Sequence, residues 1–189
     1  MSLSSGDALP RRPDRVLVAG PSGAGKTTLA AHVARVLQIP HIEIDALFHG
    51  AGWTPRPSFV ADVAAFSARS QWVTEWQYEG ARRMLADRAD LVVWLDLPRA
   101  LVMGQVSART LRRWWRREVL WNGNREPSAL RGFYDPEYVV RWAWRTYPVS
   151  ARHVSALARR RPDLPVVRLR TRCEVRGWIA GPLPRSTWA

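Results

Sequence analysis

Short apolar runs alternate with longer segments whose apolar residues recur every three or four positions, and the alternation repeats along the chain. Residues 15–20, RVLVAG, form an apolar run of strand length, whereas Leu29, Val33 and Val36 recur at i, i+4 and i+7 as one face of a helix does. The same pattern predicts strands at 15–20, 39–44, 72–76, 91–96 and 166–169 and helices at 26–37, 58–69, 79–88, 99–117 and 172–180. A further helical stretch covers about 135–160 and is expected to break near Pro148, because proline has no N–H and clashes with the preceding turn. Five strands alternating with helices predict an α/β fold with a parallel sheet covered on both faces. Without internal repeats or a low-complexity linker, residues 15–189 read as a single domain, and 1–14, MSLSSGDALPRRPD, as a disordered tail.

In a parallel sheet, ligands bind beyond the carboxyl ends of the strands, so polar residues located there are the candidates for chemistry. The first strand runs into GPSGAGKT, residues 20–27, which fits G-x-x-x-x-G-K-[ST] and has the required strand before it and helix after it. Such a loop surrounds phosphates with backbone N–H groups, and the helix N-terminus aims its dipole at them. Gly20, Ser22, Gly23, Ala24, Gly25, Lys26, Thr27 and Thr28 are therefore the nucleotide-binding candidates, with Lys26 reaching the β and γ oxygens and Thr27 holding magnesium. Lys26 is the only lysine among the 29 Lys and Arg residues. A compact ammonium fits a tight cradle that a wide guanidinium fork does not.

Three further strand ends carry acidic residues. The second strand, HIEID, ends at Asp45 and runs into ALFHGAGWTPRP, which supplies His49, Trp53 and Arg56 as ligand-sized groups. A carboxylate at Asp45 suits positioning or deprotonating an acceptor hydroxyl, directly or through a metal-bound water; the alternative is an N-cap for a short turn over 46–49. The third strand, WVTEW, ends at Glu75, a second magnesium candidate if it lies beside the first strand, or else a surface glutamate. Arg82 and Arg83 open the next helix near the cleft mouth, where Arg82 is a candidate for holding an anionic group of the acceptor. Asp96 followed by Pro98 reads as a helix start, with the aspartate as N-cap.

Beyond it, RTLRRWWRR (109–117) places Arg109, Arg113 and Arg116 at i, i+4 and i+7, with Arg112 beside them. Three readings fit this cationic stripe: a lid whose arginines stabilise a transferring phosphoryl group, a nucleic-acid contact with Trp114 or Trp115 stacking on bases, and a solvated face. The formal net charge of +13 fits a phosphate-bearing partner, but arginine is used throughout the chain and the charge equally fits a compositional bias. A single cysteine, Cys173, excludes an internal disulfide, and the first residues lack the apolar core of a signal peptide, so a cytoplasmic location is expected. No apolar run reaches the roughly 20 residues needed to span a bilayer, so no membrane partner is expected.

The order of motifs, GPSGAGKTT, IDALFHGAGW, WVTEWQY and RADLVVWLDLPRAL, then an Arg-rich segment, a Trp-containing helix and a closing strand, resembles the nucleotide-kinase branch of P-loop proteins. In particular it is similar to the small bacterial adenylate-kinase-like proteins often labelled DNA topology modulation proteins, from about Arg15 to Ile179. The resemblance implies a three-layer P-loop NTPase fold with five parallel strands ordered 2-3-1-4-5, ATP as donor, and an Arg-rich helical lid over about 105–133. By position, Lys26 and Thr27 match the family's phosphate and magnesium residues, Glu75 its acidic residue ending the third strand, and Arg109 a lid arginine, with Arg113 one turn further on as a second catalytic candidate. Two positions depart from the family pattern: Glu75 is followed by Trp76 where the motif usually reads Asp-Gly, and Gln105 stands where many relatives carry another arginine, a charge for Arg112 or Arg113 to replace. The expectation is an ATP- and magnesium-dependent phosphotransferase acting on a nucleotide or another small metabolite. The alternative is a nucleic-acid-associated ATPase, for which the chain carries no recognisable binding module.

Overall fold

The computed structural model describes residues 1–116, 121–123 and 139–186. Its strands are β1 (Ser2–Leu3), β2 (Arg15–Ala19), β3 (His41–Ile42), β4 (Trp72–Glu75), β5 (Leu91–Leu95) and β6 (Val166–Leu169). They form one parallel sheet in the order β3-β4-β2-β5-β6-β1, so the five expected strands stand in the expected order and a sixth is added at one edge. Successive strand residues point to opposite faces, and here both faces are apolar. Val16 and Val18 pack on one side and Leu17 and Ala19 on the other, all at most 1% exposed. Helices α1 (Lys26–Leu37), α5 (Arg99–Arg116), α7 (Arg172–Ala180) and α8 (Pro182–Arg185) cover the first face through Val33, Val102, Trp178 and Leu183. The second is covered by α2 (Ile44–Phe48), α3 (Phe59–Ser67), α4 (Glu79–Arg88) and α6 (Val139–Arg160), through Ile44, Val63, Leu85 and Leu157.

Three expectations are corrected. The tail over 1–14 contributes β1: Leu3 is buried, the Val166 N–H donates to Met1 O at 2.9 Å, and the Met1 ammonium donates to Pro162 O at 2.7 Å. The open edge of β6 needs partners for its backbone groups, and two residues are enough to supply them. The second strand stops at Ile42 rather than running to Asp45. Its next N–H, on Ile44, is taken by the Glu75 side chain at 3.2 Å, which starts α2 in place of another pair in the ladder. Finally, α6 runs through Pro148 without a break. The carbonyl that Pro148 leaves without a helical donor belongs to Trp144, and Arg99 Nη2 donates to it at 2.7 Å while its guanidinium stacks 3.5 Å above the Trp144 ring. Among the described residues no helix is long and apolar enough to cross a membrane.

Candidate active site

The loop between β2 and α1 has the shape of a phosphate cradle. Gly25 caps α1 at φ 93°, and a Cβ built there meets nothing within 4 Å, leaving the space before the helix N-terminus open. Gly23, at φ 81°, has the opposite reason to be glycine: a Cβ would stand 2.0 Å from Val106 Cγ2, so α5 could not lie against the loop. With its amide turned to satisfy both ends, Gln105 of α5 donates to Gly23 O at 3.0 Å and accepts from Arg172 Nη2 at 3.0 Å. Gln105 thus ties the start of α7 to the loop through Arg172. Arg112 is exposed, and the Arg113 side chain lies outside the described residues. Lys26, 9% exposed, donates to Pro21 O at 3.1 Å. Burial pulls its pKa below the ordinary lysine range, Asp45 and Glu75 oppose that shift, and Arg109 adds to it. The loop lysine therefore shares one electrostatic site with Asp45, Glu75 and Arg109.

Asp45 is the second residue of α2, neither a strand end nor an N-cap. Its Oδ1 accepts from the Tyr78 phenol at 2.6 Å and from the Gln77 amide. Among the described residues Oδ2 accepts no hydrogen bond. Tyr78 also stands 3.1 Å from His49 Nε2. The phenol has one proton and gives it to Asp45, so His49 Nε2 is the donor in that second bond. The Phe48 ring stacks on Tyr78 at 3.9 Å between centroids, and Trp53 meets His49 edge-on at 5.1 Å, forming an aromatic wall beside the carboxylate. Burial raises the pKa of Asp45 above the ordinary aspartate range, against the lowering effects of Tyr78 and Lys26. A carboxylate shifted upward in this way is a better proton acceptor.

Glu75 differs in kind. It is 2% exposed, its Oε1 lies 3.2 Å from His41 Nε2, and its Oε2 accepts from Ile44 N at 3.2 Å. Burial pushes its pKa up, but the His41 and Ile44 bonds outweigh burial and hold it below the ordinary glutamate range. The register pairs Glu75 with Val18, so it lies beside the loop strand as expected. Its oxygens are engaged away from the loop, and it meets Lys26 as a charge without an ion-pair contact.

The remaining candidates separate. Trp53 joins the Asp45 surroundings through His49. Arg56 pairs with Asp62 at 3.2 Å and donates to Ser58. Half-buried Arg82 places Nη1 3.4 Å from His153 Nε2, and no carboxylate among the described residues lies within ion-pair distance of it. Arg109 is near enough to act on Lys26, while 117–120 and 124–133 of the expected lid lie outside the described residues. Asn122 donates to the His49 carbonyl, bringing the 121–123 turn against α2. Among the described residues no set of three His, Cys, Asp or Glu side chains is arranged to hold a metal ion. The sequence reading missed Gln77, Tyr78, His41 and Arg172. Tyr78 left one trace, an aromatic where a helix N-cap favours Ser, Thr, Asp or Asn.

No protein-family model and no curated protein matches the chain. Solved structures do match its backbone. A shikimate kinase from Acinetobacter baumannii, determined in complex with shikimate, is 15% identical with a TM-score of 0.50, covering 93% of this chain and 89% of its own. A gluconokinase from Sinorhizobium meliloti 1021 is 20% identical with a TM-score of 0.48 over 93% of this chain and 94% of its own, and a shikimate kinase from Bacteroides thetaiotaomicron is 15% identical with a TM-score of 0.47 over 89% and 95%. At this identity the likeness to the Acinetobacter baumannii structure shows the fold alone, an α/β P-loop architecture.

Proposed function

We propose that this chain is an ATP- and magnesium-dependent phosphotransferase whose acceptor is a nucleotide or another small hydroxyl- or phosphate-bearing metabolite. One observation carries the proposal: a phosphate cradle ending in buried Lys26 lies in the field of Asp45, whose Oδ2 is unpaired among the described residues and whose pKa is raised. The acceptor hydroxyl attacks the γ-phosphorus, its proton passes to Asp45, the bond to the bridging oxygen breaks, and ADP leaves with Lys26 against its phosphates. Arg109 supplies positive charge where the transferring group spreads its negative charge. Thr27 makes no side-chain hydrogen bond among the described residues and fits a magnesium ligand, whereas Glu75, with both oxygens engaged, fits a charge held behind the ion. Magnesium, when bound, neutralises charge on the β- and γ-phosphates.

On the acceptor side, Trp53 and Phe48 offer apolar surface and half-buried Arg82 offers a guanidinium to an anionic group. Arg56 is held by Asp62 and contributes only if that pair opens. The adenylate-kinase-like resemblance points to nucleoside monophosphates, and the shared fold adds shikimate, gluconate and simple polyols to the acceptors worth testing. The test is ADP release by purified protein with magnesium and ATP across that panel. The expected result is release that needs magnesium and that one acceptor class stimulates above the slow background with water. Release stimulated only by DNA, with a steep salt dependence, would replace the kinase with the ATPase.

A further inference from the structure

Tyr78 is held at φ 61° and ψ 120°, a backbone conformation that residues with a Cβ rarely adopt, and it occupies the N-cap position of α4 without a side-chain cap bond. Instead its side chain crosses to another element. The ring is clamped between Phe48, stacked at 3.9 Å, and Phe59, edge-on at 5.4 Å, and the phenol reaches Asp45 Oδ1 at 2.6 Å. The neighbouring Gln77 amide donates to that same oxygen. Two donors from one loop therefore converge on one carboxylate oxygen, which fixes the rotation of the carboxylate and leaves the other oxygen for a ligand.

We propose that Tyr78 is a positioning residue that, with Gln77, orients Asp45 so that Oδ2 faces the acceptor oxygen, an assignment that rests on Asp45 being the acceptor-facing carboxylate. The strained backbone is the local consequence: a relaxed N-cap would turn the phenol away from α2. His49 completes the arrangement by donating Nε2–H to the phenol oxygen, which directs the only Tyr78 proton onto Asp45. Orientation of this kind acts on the reacting geometry and not on nucleotide affinity, because none of these groups lies on the phosphate loop.

The experiment uses radiolabelled magnesium-ATP with water as the acceptor probe, single-turnover rates, ATP affinity by calorimetry and melting temperature, for the full chain and the variants Tyr78→Phe, Gln77→Ala, Asp45→Asn and Tyr78→Phe/Asp45→Asn. Tyr78→Phe keeps the ring and removes the hydroxyl. It is expected to lower turnover about 10-fold with ATP affinity unchanged. Gln77→Ala falls in the same direction. In the Asp45→Asn background Tyr78→Phe adds nothing, since both act through one carboxylate. A second readout is independent of rate: 15N spectra place the His49 proton on Nε2 in the wild type, and Tyr78→Phe removes that preference. Wild-type turnover in Tyr78→Phe alongside a loss in Asp45→Asn overturns the positioning role and leaves Asp45 in place, as does a further loss in the double variant. Wild-type turnover in Asp45→Asn overturns the acceptor-facing role itself.

Discussion

Each end of the sheet carries an aspartate whose pKa is raised by desolvation, Asp90 buried and Asp45 half-buried, and the two are bonded differently. At the amino ends of the strands, Asp90 uses both oxygens on backbone: Oδ1 accepts from Arg15 N at 3.0 Å and Oδ2 from Asp14 N at 3.2 Å, with Arg15 Nε 3.8 Å away. At the carboxyl ends, Asp45 takes both its donors on Oδ1 and keeps Oδ2 without one among the described residues. Desolvation and a raised pKa are common to both and so do not identify a reacting group. The unengaged oxygen, together with Lys26 nearby and the backbone strain at Tyr78, is what supports the acceptor-facing role proposed for Asp45.

The largest expected effect removes the charge that, in the proposed function, holds phosphate at the carboxyl end. Lys26→Ala should cut phosphotransfer by about 10³-fold or more while the melting temperature holds, because among the described residues Lys26 hydrogen-bonds only a loop carbonyl. Turnover near wild type in a coupled ADP assay would remove the distinction between the two ends. Next comes Arg109→Ala, expected to lower kcat by about 10³-fold with little change in ATP affinity, because its charge matters most in the transition state. Calorimetry beside the same assay separates the two quantities. An unchanged kcat together with a DNA-binding salt slope reduced by about one unit would assign the stripe to nucleic acid.

The smallest effect concerns stability. Glu75 has a folded pKa below its ordinary 4.5, so the stability it contributes is present above 4.5 and is lost as pH falls through the folded value. Glu75→Gln should lower stability at neutral pH by about 1–3 kcal/mol, because the amide nitrogen turns a donor toward the His41 or the Ile44 donor. The variant should also lack the part of the acid limb that Glu75 generates. Melting curves taken at neutral pH and below 4.5 check both points, and parallel wild-type and variant curves would assign the acid limb to other groups.

What the sequence made legible is what adjacent residues determine. The cradle, α1, α4, β6 and the strand order follow from local periodicity, a contiguous motif and the family likeness it supports. The features it concealed depend on pairs far apart in the chain. Glu75 starts α2 from 31 residues away, so HIEID reads as one strand. Arg99 supplies the donor that Pro148 lacks from 45 residues before the Trp144 carbonyl, so the helix reads as broken. Tyr78 reaches Asp45 across 33 residues, and no periodicity marks such a contact. β1 is too short to show a pattern, with Leu3 its only buried side chain.

The contrast between the two aspartates is tested most directly by measuring single-turnover ATP cleavage and melting temperature side by side for Asp45→Asn and Asp90→Asn. An asparagine at 45 can keep both donors on its oxygen and place its amide where Oδ2 was, and loss of a charge disfavoured by burial costs no stability. An asparagine at 90 must turn an NH₂ toward a backbone N–H. The account predicts that Asp45→Asn loses about 10²-fold or more in turnover and melts at or above the wild type, whereas Asp90→Asn turns over normally when folded and is destabilised by about 1–3 kcal/mol. Equal turnover in the two variants, or a loss of turnover confined to Asp90→Asn, would contradict it.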